Sequence, residues 1–322
     1  MWDTSWLGAS LALFLAACSG PEPAATSPVL GLGSSEEAVT IRADGELFAR
    51  LEVPLGRPVA LTHLRSPSGT ELLRGYPLAP RPGESVDHPE HTGGWIAHAS
   101  VNGHDVWNGP GFVRAGEHLV HLDGSDAAVV DVDLEWLSEE AEVLFTEERR
   151  YSFSARTGVR IVDVDQSIAT TSVGLALGDE KDGYFALRMA DTFRWGEGTT
   201  AGAIASTGAR DDDVWGERAR WVARHAPIGG AGEVMVILLD HPSNPLHPAT
   251  CNVRRYGLFA MNPFGRAAYS GDERERTDQL YDAYREVTFQ YRIVVAEERL
   301  AYEEIDELWR EFAERTSPFS DV

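Results

Sequence analysis

The 322-residue sequence predicts an all-β fold, in which antiparallel sheets stack as a β-sandwich and one helix closes the C-terminal end. Three features lead there. Short segments alternate apolar and polar residues with period two, the mark of strands with one covered face. Clusters of Gly, Pro, Asp and Asn separate these segments. The regular alternation of strand with helix that builds a parallel sheet is absent.

The chain opens with MWDTSWLGASLALFLAACSG, whose apolar run from Trp6 to Ala17 is shorter than the roughly 20 residues that span a bilayer. It ends at Leu15-Ala16-Ala17-Cys18 and resembles a bacterial lipoprotein signal peptide over residues 1–18. That resemblance implies export, cleavage before Cys18 and a lipid anchor on its sulfur, at the outer membrane or periplasmic face of the cell envelope. The front end departs from the pattern, with no Lys or Arg and with Asp3. Residues 19–38 are rich in Pro, Ser, Gly and Ala, too poor in large side chains to order themselves, and are expected to form a flexible tether. A single folded domain, 39–322, should follow from near Val39.

The strand segments are VTIRAD, ELFARLEV, AVVDVDLEWL, EVLFTEERRYSFSA, GVRIVDVDQSIA, EVMVILLD and EVTFQYRIVVAEE. In the last, Val287, Phe289, Tyr291, Ile293 and Val295 share one face, while Thr288, Gln290 and Arg292 share the other. LAYEEIDELWREFAERT changes period: Leu300, Ile305, Leu308, Trp309 and Phe312 recur at helical spacing, with acids crowding the first turns. A helix over 300–315, packed on the sandwich, is the expectation. No repeat of solenoid length is present.

Composition excludes several classes. A formal charge of -23, from 28 basic against 51 acidic residues, provides no basic face for nucleic acid. Two cysteines, Cys18 and Cys251, support neither a disulfide framework nor a thiolate zinc site.

Six of the ten histidines fall between His88 and His121, beside Trp95 and Trp107. Imidazole titrates near neutrality, so grouped histidines suit proton transfer or metal ligation, and exposed indoles suit stacking on sugar rings. Gly93, Gly94 and Gly109 predict that at least one of these tryptophans is partly exposed. Asp-His-Pro occurs twice, in DHPEH (87–91) and DHPSNPLHP (240–248). Proline keeps both segments out of helices, so neither sets its histidines at helical spacing. The second follows an apolar strand, where a loop carrying Asp240, His241, Asn244 and His247 either caps its own turns or forms a site. The expectation is that the two segments form two walls of one pocket. His88, His91, His241 and His247, with Asp87 or Asp240, would then also supply nitrogen and oxygen ligands for a divalent metal. Glu147 is either a carboxylate partner for these histidines or an exposed strand glutamate.

Four blocks in order, DHPEHTGGWIAHASVNGHDVW, GDEKDGYFALRM, VWGERARWV and LLDHPSNPLHPATCNVRRYGLFAMNPFG, resemble the PmoA-like bacterial family, often labelled "methane oxygenase PmoA", from about Thr62 to about Val295. The label does not suit this chain, since a methane monooxygenase subunit crosses the membrane several times and no stretch here is apolar enough to do so. The resemblance implies a β-supersandwich like that of aldose mutarotases and carbohydrate work of undefined reaction. The family pattern matches Asp87, His88, His91, Trp95 and Trp107, then Lys181 and Arg188, then Trp215, then Asp240, His241, Asn244, His247 and Tyr256. It departs at Glu90-His91-Thr92 and at Cys251-Asn252, where the family carries further imidazoles and a guanidinium.

Two functions stand. One is an enzyme on a sugar or modified glycoside, a lyase, hydrolase or epimerase. In it His88, His91, His241 and His247 move protons, and Arg188 orients substrate oxygens by a bidentate hydrogen bond. Asp87, Trp95, Trp107, Lys181, Asp240, Asn244 and Tyr256 then bind substrate. The other is a carbohydrate-binding lipoprotein without turnover, and an oxygenase, as the family label suggests, ranks below both.

Overall fold

The computed structural model describes residues 27–123, 127–229 and 232–319. Strands β1 (Leu30–Ser34), β2 (Ala38–Ala43), β3 (Glu46–Glu52), β4 (Ala60–Leu64) and β5 (Gly94–His98) begin one sheet. The chain then crosses to a second sheet for β6 (Phe112–Asp123), β7 (Ala127–Leu137), β8 (Val143–Arg156) and β9 (Val159–Thr170). After the short β10 (Leu175–Leu177), β11 (Gly183–Arg188) returns to the first sheet, and β12 (Gly202–Ala205), β13 (Trp221–Ile228) and β14 (Gly232–Asp240) join the second. Strands β15 (Thr250–Val253) and β16 (Leu258–Asn262) finish the first sheet. A helical turn α1 (Arg266–Ser270) follows, then β17 (Gln279–Tyr281), which pairs with β10, and β18 (Glu286–Ala296), which enters the middle of the second sheet. The orders are β1-β2-β3-β4-β5-β11-β16-β15 and β12-β13-β14-β18-β9-β8-β7-β6, antiparallel throughout. The protein is an antiparallel β-sandwich with a C-terminal helix.

The core lies between the sheets and follows the predicted alternation. Val287, Phe289, Tyr291, Ile293 and Val295 of β18 all enter it. All seven segments read from period two are strands. Those missed by that criterion, such as β5, β11, β15 and β16, are covered on both faces, so their sequences carry no polar alternation.

Helix α2 (Tyr302–Ala313) packs Ile305, Leu308, Trp309 and Phe312 on the outer face of the second sheet, against Trp221, Ala223, Met235, Ile237 and Val294. The Ala301 amide donates to Glu304 Oε2 (2.6 Å), which satisfies one of the donors that a helix start leaves free. The tether expectation is corrected at residues 30–34. They form β1, paired with Val39 to Ala43, because Leu30 and Leu32 reach the core edge and the strand covers the rim of the sheet. Cys18 and the rest of the signal-like segment lie outside the described residues, and among the described residues no helix is long and apolar enough to cross a membrane.

Candidate active site

The outer face of the first sheet carries the candidate site. Along β5, Ile96 enters the core while Trp95 and Ala97 point outward, and they are joined there by Trp107, Ala186, Leu258 and Ala260. Leu258 is paired with Arg188, which therefore lies on the same outward face. Small side chains at 97, 186 and 260 leave the surface low, and the segment 85–93 settles over it.

That segment is held by Arg74, which is fully buried and was not anticipated from sequence. Its guanidinium donates to the carbonyls of Asp87 (2.6 Å), His88 (2.8 Å) and His91 (3.1 Å) and to Asp87 Oδ1 (2.8 Å). The grip fixes His88 at φ 49°, a left-handed conformation that costs a residue with a Cβ about 1 kcal/mol or more. Gly93 ends the segment at φ +76°, where an added Cβ would sit 2.3 Å from the Leu61 carbonyl oxygen. Only glycine lets the chain pass that close to β4.

Arg188, also fully buried, donates to Asp87 Oδ1 (2.6 Å) and to His91 Nδ1 (3.2 Å), and stacks on Tyr256 at 4.6 Å. Burial opposes ionisation of Asp87, but the Arg188 hydrogen bond and the charges of Arg188 and Arg74 outweigh it and hold the carboxyl below its usual range. Expected to orient substrate, Arg188 instead positions protein groups, because its terminal nitrogens already have partners inside the fold.

The histidines divide. Because arginine only donates, His91 Nδ1 must accept, which places the ring proton on Nε2. Burial first, then the charges of Arg188, His88 and Arg74, push the His91 pKa down to about 3, so the ring is neutral at physiological pH. Its expected part in proton transfer is corrected accordingly. His91 is a fixed spacer stacked on His88 (4.7 Å) and Trp95 (5.2 Å). His88 is 43% exposed in its side chain, stacks on Tyr256 (4.9 Å) as well as on His91, and meets Glu90 Oε1 through Nδ1 at 2.8 Å. A carboxylate accepts, so His88 Nδ1 carries a proton, and among the described residues Nε2 has no hydrogen-bond partner. Glu90 thus completes a histidine and carboxylate dyad.

A cavity flanks the dyad on each side. One, of about 240 Å³, is lined by Glu90, Thr92, Trp95, Trp107 and Asn108. The other, of about 430 Å³, is lined by His88, Trp215, Arg254, Arg255 and Tyr256. Trp95 and Trp107 form a tilted pair at 5.0 Å and are 6% and 5% exposed, so the expected exposed indole face is absent. The His91 segment covers them, and the Trp95 Nε1 donor is left without a partner. The Lys181 ammonium pairs with Asp182 (2.5 Å), while its carbonyl accepts from Asn252 Nδ2 and Tyr269 Oη.

The second Asp-His-Pro segment is not the opposite wall. It leaves β14 of the second sheet beside α2, and among the described residues no hydrogen bond, ion pair or ring contact joins it to Asp87–His91. The buried Asp240 carboxylate is a folding node: Oδ1 accepts from Asn244 Nδ2 (2.8 Å), and Oδ2 from His247 Nδ1 (2.7 Å) and the Ala249 amide (2.8 Å). Asn244 then clamps the Gln290 backbone of β18, at 2.7 Å through both its side-chain atoms. His241 is buried against Phe312 and bonds Ser243 Oγ (2.7 Å), and burial lowers its pKa. His247 stacks on Trp309 at 6.1 Å. The catalytic and substrate-binding roles expected of Asp240, His241, Asn244 and His247 are replaced by turn chemistry, the alternative that the prolines also allow.

Two further expectations change. Glu147 is neither exposed nor near the histidines, but is buried in the second sheet and held by Trp136 Nε1 (2.6 Å) and Arg149 (2.8 Å). The four-histidine metal set is split between the two sheets. What remains is His88, Glu90 and His91, with ligand atoms within 4.8 Å of one another. This trio does not fit a divalent cation, since His91 Nε2 carries a proton as long as Nδ1 faces Arg188, and two buried guanidiniums lie behind it.

A dyad set on a buried arginine platform, with a cavity beside each of its residues, is the candidate site of this all-β sandwich. The chain belongs to DUF6807, a family of unknown function, whose model matches residues 38–310. No curated protein matches the sequence. Among solved structures, the alpha-galactosidase from Lactobacillus brevis is similar over 84% of this chain and 40% of its own, at 9% identity and a TM-score of 0.43. A protein from Synechocystis sp. PCC 6803 is similar over 87% and 99%, at 11% identity and a TM-score of 0.40. A galactose mutarotase related enzyme from Lactobacillus acidophilus is similar over 84% and 100%, at 10% identity and a TM-score of 0.36. The chain therefore spans well under half the length of the galactosidase.

Proposed function

We propose that the protein is a carbohydrate-active enzyme of the cell envelope in which His88 takes and returns a proton at Nε2, with Glu90 orienting the ring. One observation carries this: the Nδ1 contact of His88 to Glu90 at 2.8 Å, on an exposed ring stacked on both His91 and Tyr256 at the lip of a cleft. A base whose far nitrogen is held by a carboxylate keeps one tautomer and one direction, which is what proton abstraction requires. Tyr256 and Trp215 line the same cleft and give it apolar surface of the kind that sugars pack on. A reaction begun by abstraction from carbon or oxygen, such as elimination or epimerisation of a modified glycoside, matches a single dyad best. The lipid anchor at Cys18 is part of the proposal and rests on the sequence of residues 1–18 alone.

The test is an NMR screen of oxidised and ordinary glycosides with the wild type, His88→Gln and Glu90→Gln. Turnover should fall by about 100-fold or more in His88→Gln. In Glu90→Gln the fall should be smaller, with an altered pH profile. Unchanged turnover in His88→Gln would remove the proposed base. Ligand-induced shifts without any product in the wild type would instead establish the carbohydrate-binding lipoprotein without turnover.

A further inference from the structure

The cleft beside His88 is cationic in a protein that carries a formal charge of -23. Most charges around it are matched. Asp212 chelates Arg255, Lys181 pairs with Asp182, and Asp87 serves both Arg74 and Arg188. Arg254 differs. Its guanidinium lies over the Trp215 ring at 4.6 Å, half-buried on the cleft wall, and among the described residues it has neither a carboxylate nor a hydrogen-bond acceptor.

The turn that presents Arg254 is built with care. From β13 of the second sheet, the buried Arg224 reaches through the sandwich and donates to the carbonyls of Arg254 (3.1 Å), Leu258 (3.1 Å) and Phe193. Arg224 also has no carboxylate partner among the described residues, and it stacks on Trp195 at 4.4 Å. Burial, then the charge of Arg188, pushes its pKa down to about 9, so it stays protonated at neutral pH. Gly257 closes the turn at φ +112°, where a Cβ would lie 3.1 Å from the Met189 carbonyl oxygen. Arg254 and Tyr256 are thus fixed on either side of one residue, above an arginine whose charge has no internal counterpart. A planar guanidinium braced by an indole offers its N–H fork to a carboxylate or sulfate with little loss of side-chain freedom.

We propose that this cleft recognises an anionic sugar, and that Arg254, stacked on Trp215 beside Tyr256 and His88, binds its carboxylate or sulfate group. This rests on the carbohydrate activity proposed above and names its substrate class. His88, Tyr256 and Arg254 line this one cleft, so a sugar held by Arg254 lies in the same cleft as the His88 ring.

The test uses the purified full chain and three probes: a methyl glucoside, the matching methyl glucuronide and the matching 6-sulfate, titrated calorimetrically at low and high salt. The wild type should bind at least one anionic probe about tenfold or more tighter than the glucoside, and high salt should reduce that advantage. In Arg254→Gln the advantage should vanish while glucoside binding is retained. Arg254→Lys, which keeps the charge without the fork, should recover part of it. Whichever anionic probe binds tighter identifies the group recognised. Glucoside binding with no anionic preference, or a preference that survives Arg254→Gln, overturns the anionic assignment and leaves the carbohydrate proposal standing. Failure of all three probes to bind overturns both.

Discussion

If Arg74 builds the site rather than merely adding to stability, its removal should loosen residues 85–93 far more than the sandwich beneath. The side chain makes four donor contacts of 3.1 Å or less to this segment. Those to Asp87 and His88 face partly exposed groups that water can serve in the variant. The His91 carbonyl, behind a ring that is 3% exposed, is harder to rehydrate. Counting about 1 kcal/mol for the half-exposed ion pair and about 2 kcal/mol for the acceptors left poorly satisfied gives about 3 kcal/mol. Relaxation of His88 from its left-handed conformation returns about 1 kcal/mol of this. The net, about 2 kcal/mol, corresponds to roughly 30-fold faster local opening. The assay is amide exchange at His91, whose N–H bonds the His88 carbonyl at 3.1 Å. Arg74→Met should show the full effect. Arg74→Lys should show most of it, because one ammonium cannot span carbonyls that the guanidinium reaches from two nitrogens. Exchange at His91 within a factor of about three of wild type in both variants, with a uniform loss of protection across the core, would refute the reasoning.

The neutral His91 makes stability depend on pH. Its folded pKa of about 3 lies below the unfolded value near 6.5, so the contribution is complete above pH 6.5 and is lost as pH falls towards 3. At pH 4.5 the loss approaches about 3 kcal/mol. His91→Gln should flatten this branch of urea-unfolding free energies between pH 7.5 and 4.5, and an unchanged slope would count against a buried neutral imidazole. Asp240→Ala strands the donors of Asn244, His247 and Ala249, at about 3 kcal/mol and a melting temperature lower by about 5 °C or more. Glycoside affinity of the folded protein should stay within twofold, and selective loss of affinity at an unchanged melting temperature would restore the two-wall pocket. Gly93→Ala forces a Cβ against the Leu61 carbonyl at φ +76°. It should cost about 2 kcal/mol or more and weaken ligand binding, read by thermal melts and calorimetry.

The sequence by itself determined the sandwich and its helix. Period-two alternation in β7 and β8, and helical spacing from Leu300 to Phe312, are local consequences of having one covered face, so local residues report them. It also singled out His88, His91, Trp95 and Tyr256, which are chemically conspicuous and which the fold brings into ring contact. Tertiary structure alone separated the two Asp-His-Pro segments. Both have the same residues and the same proline-stiffened backbone. The distinction lies in what surrounds the carboxylate. Asp87 meets two buried arginines from β11 and from the loop before β5, whereas Asp240 meets amides and an imidazole of its own loop. Arg74, Arg224 and Arg254 were illegible for the same reason. An arginine in sequence is ordinarily a solvated charge, and only burial across two sheets, which depends on contacts between residues far apart in the chain, makes it a platform for a site.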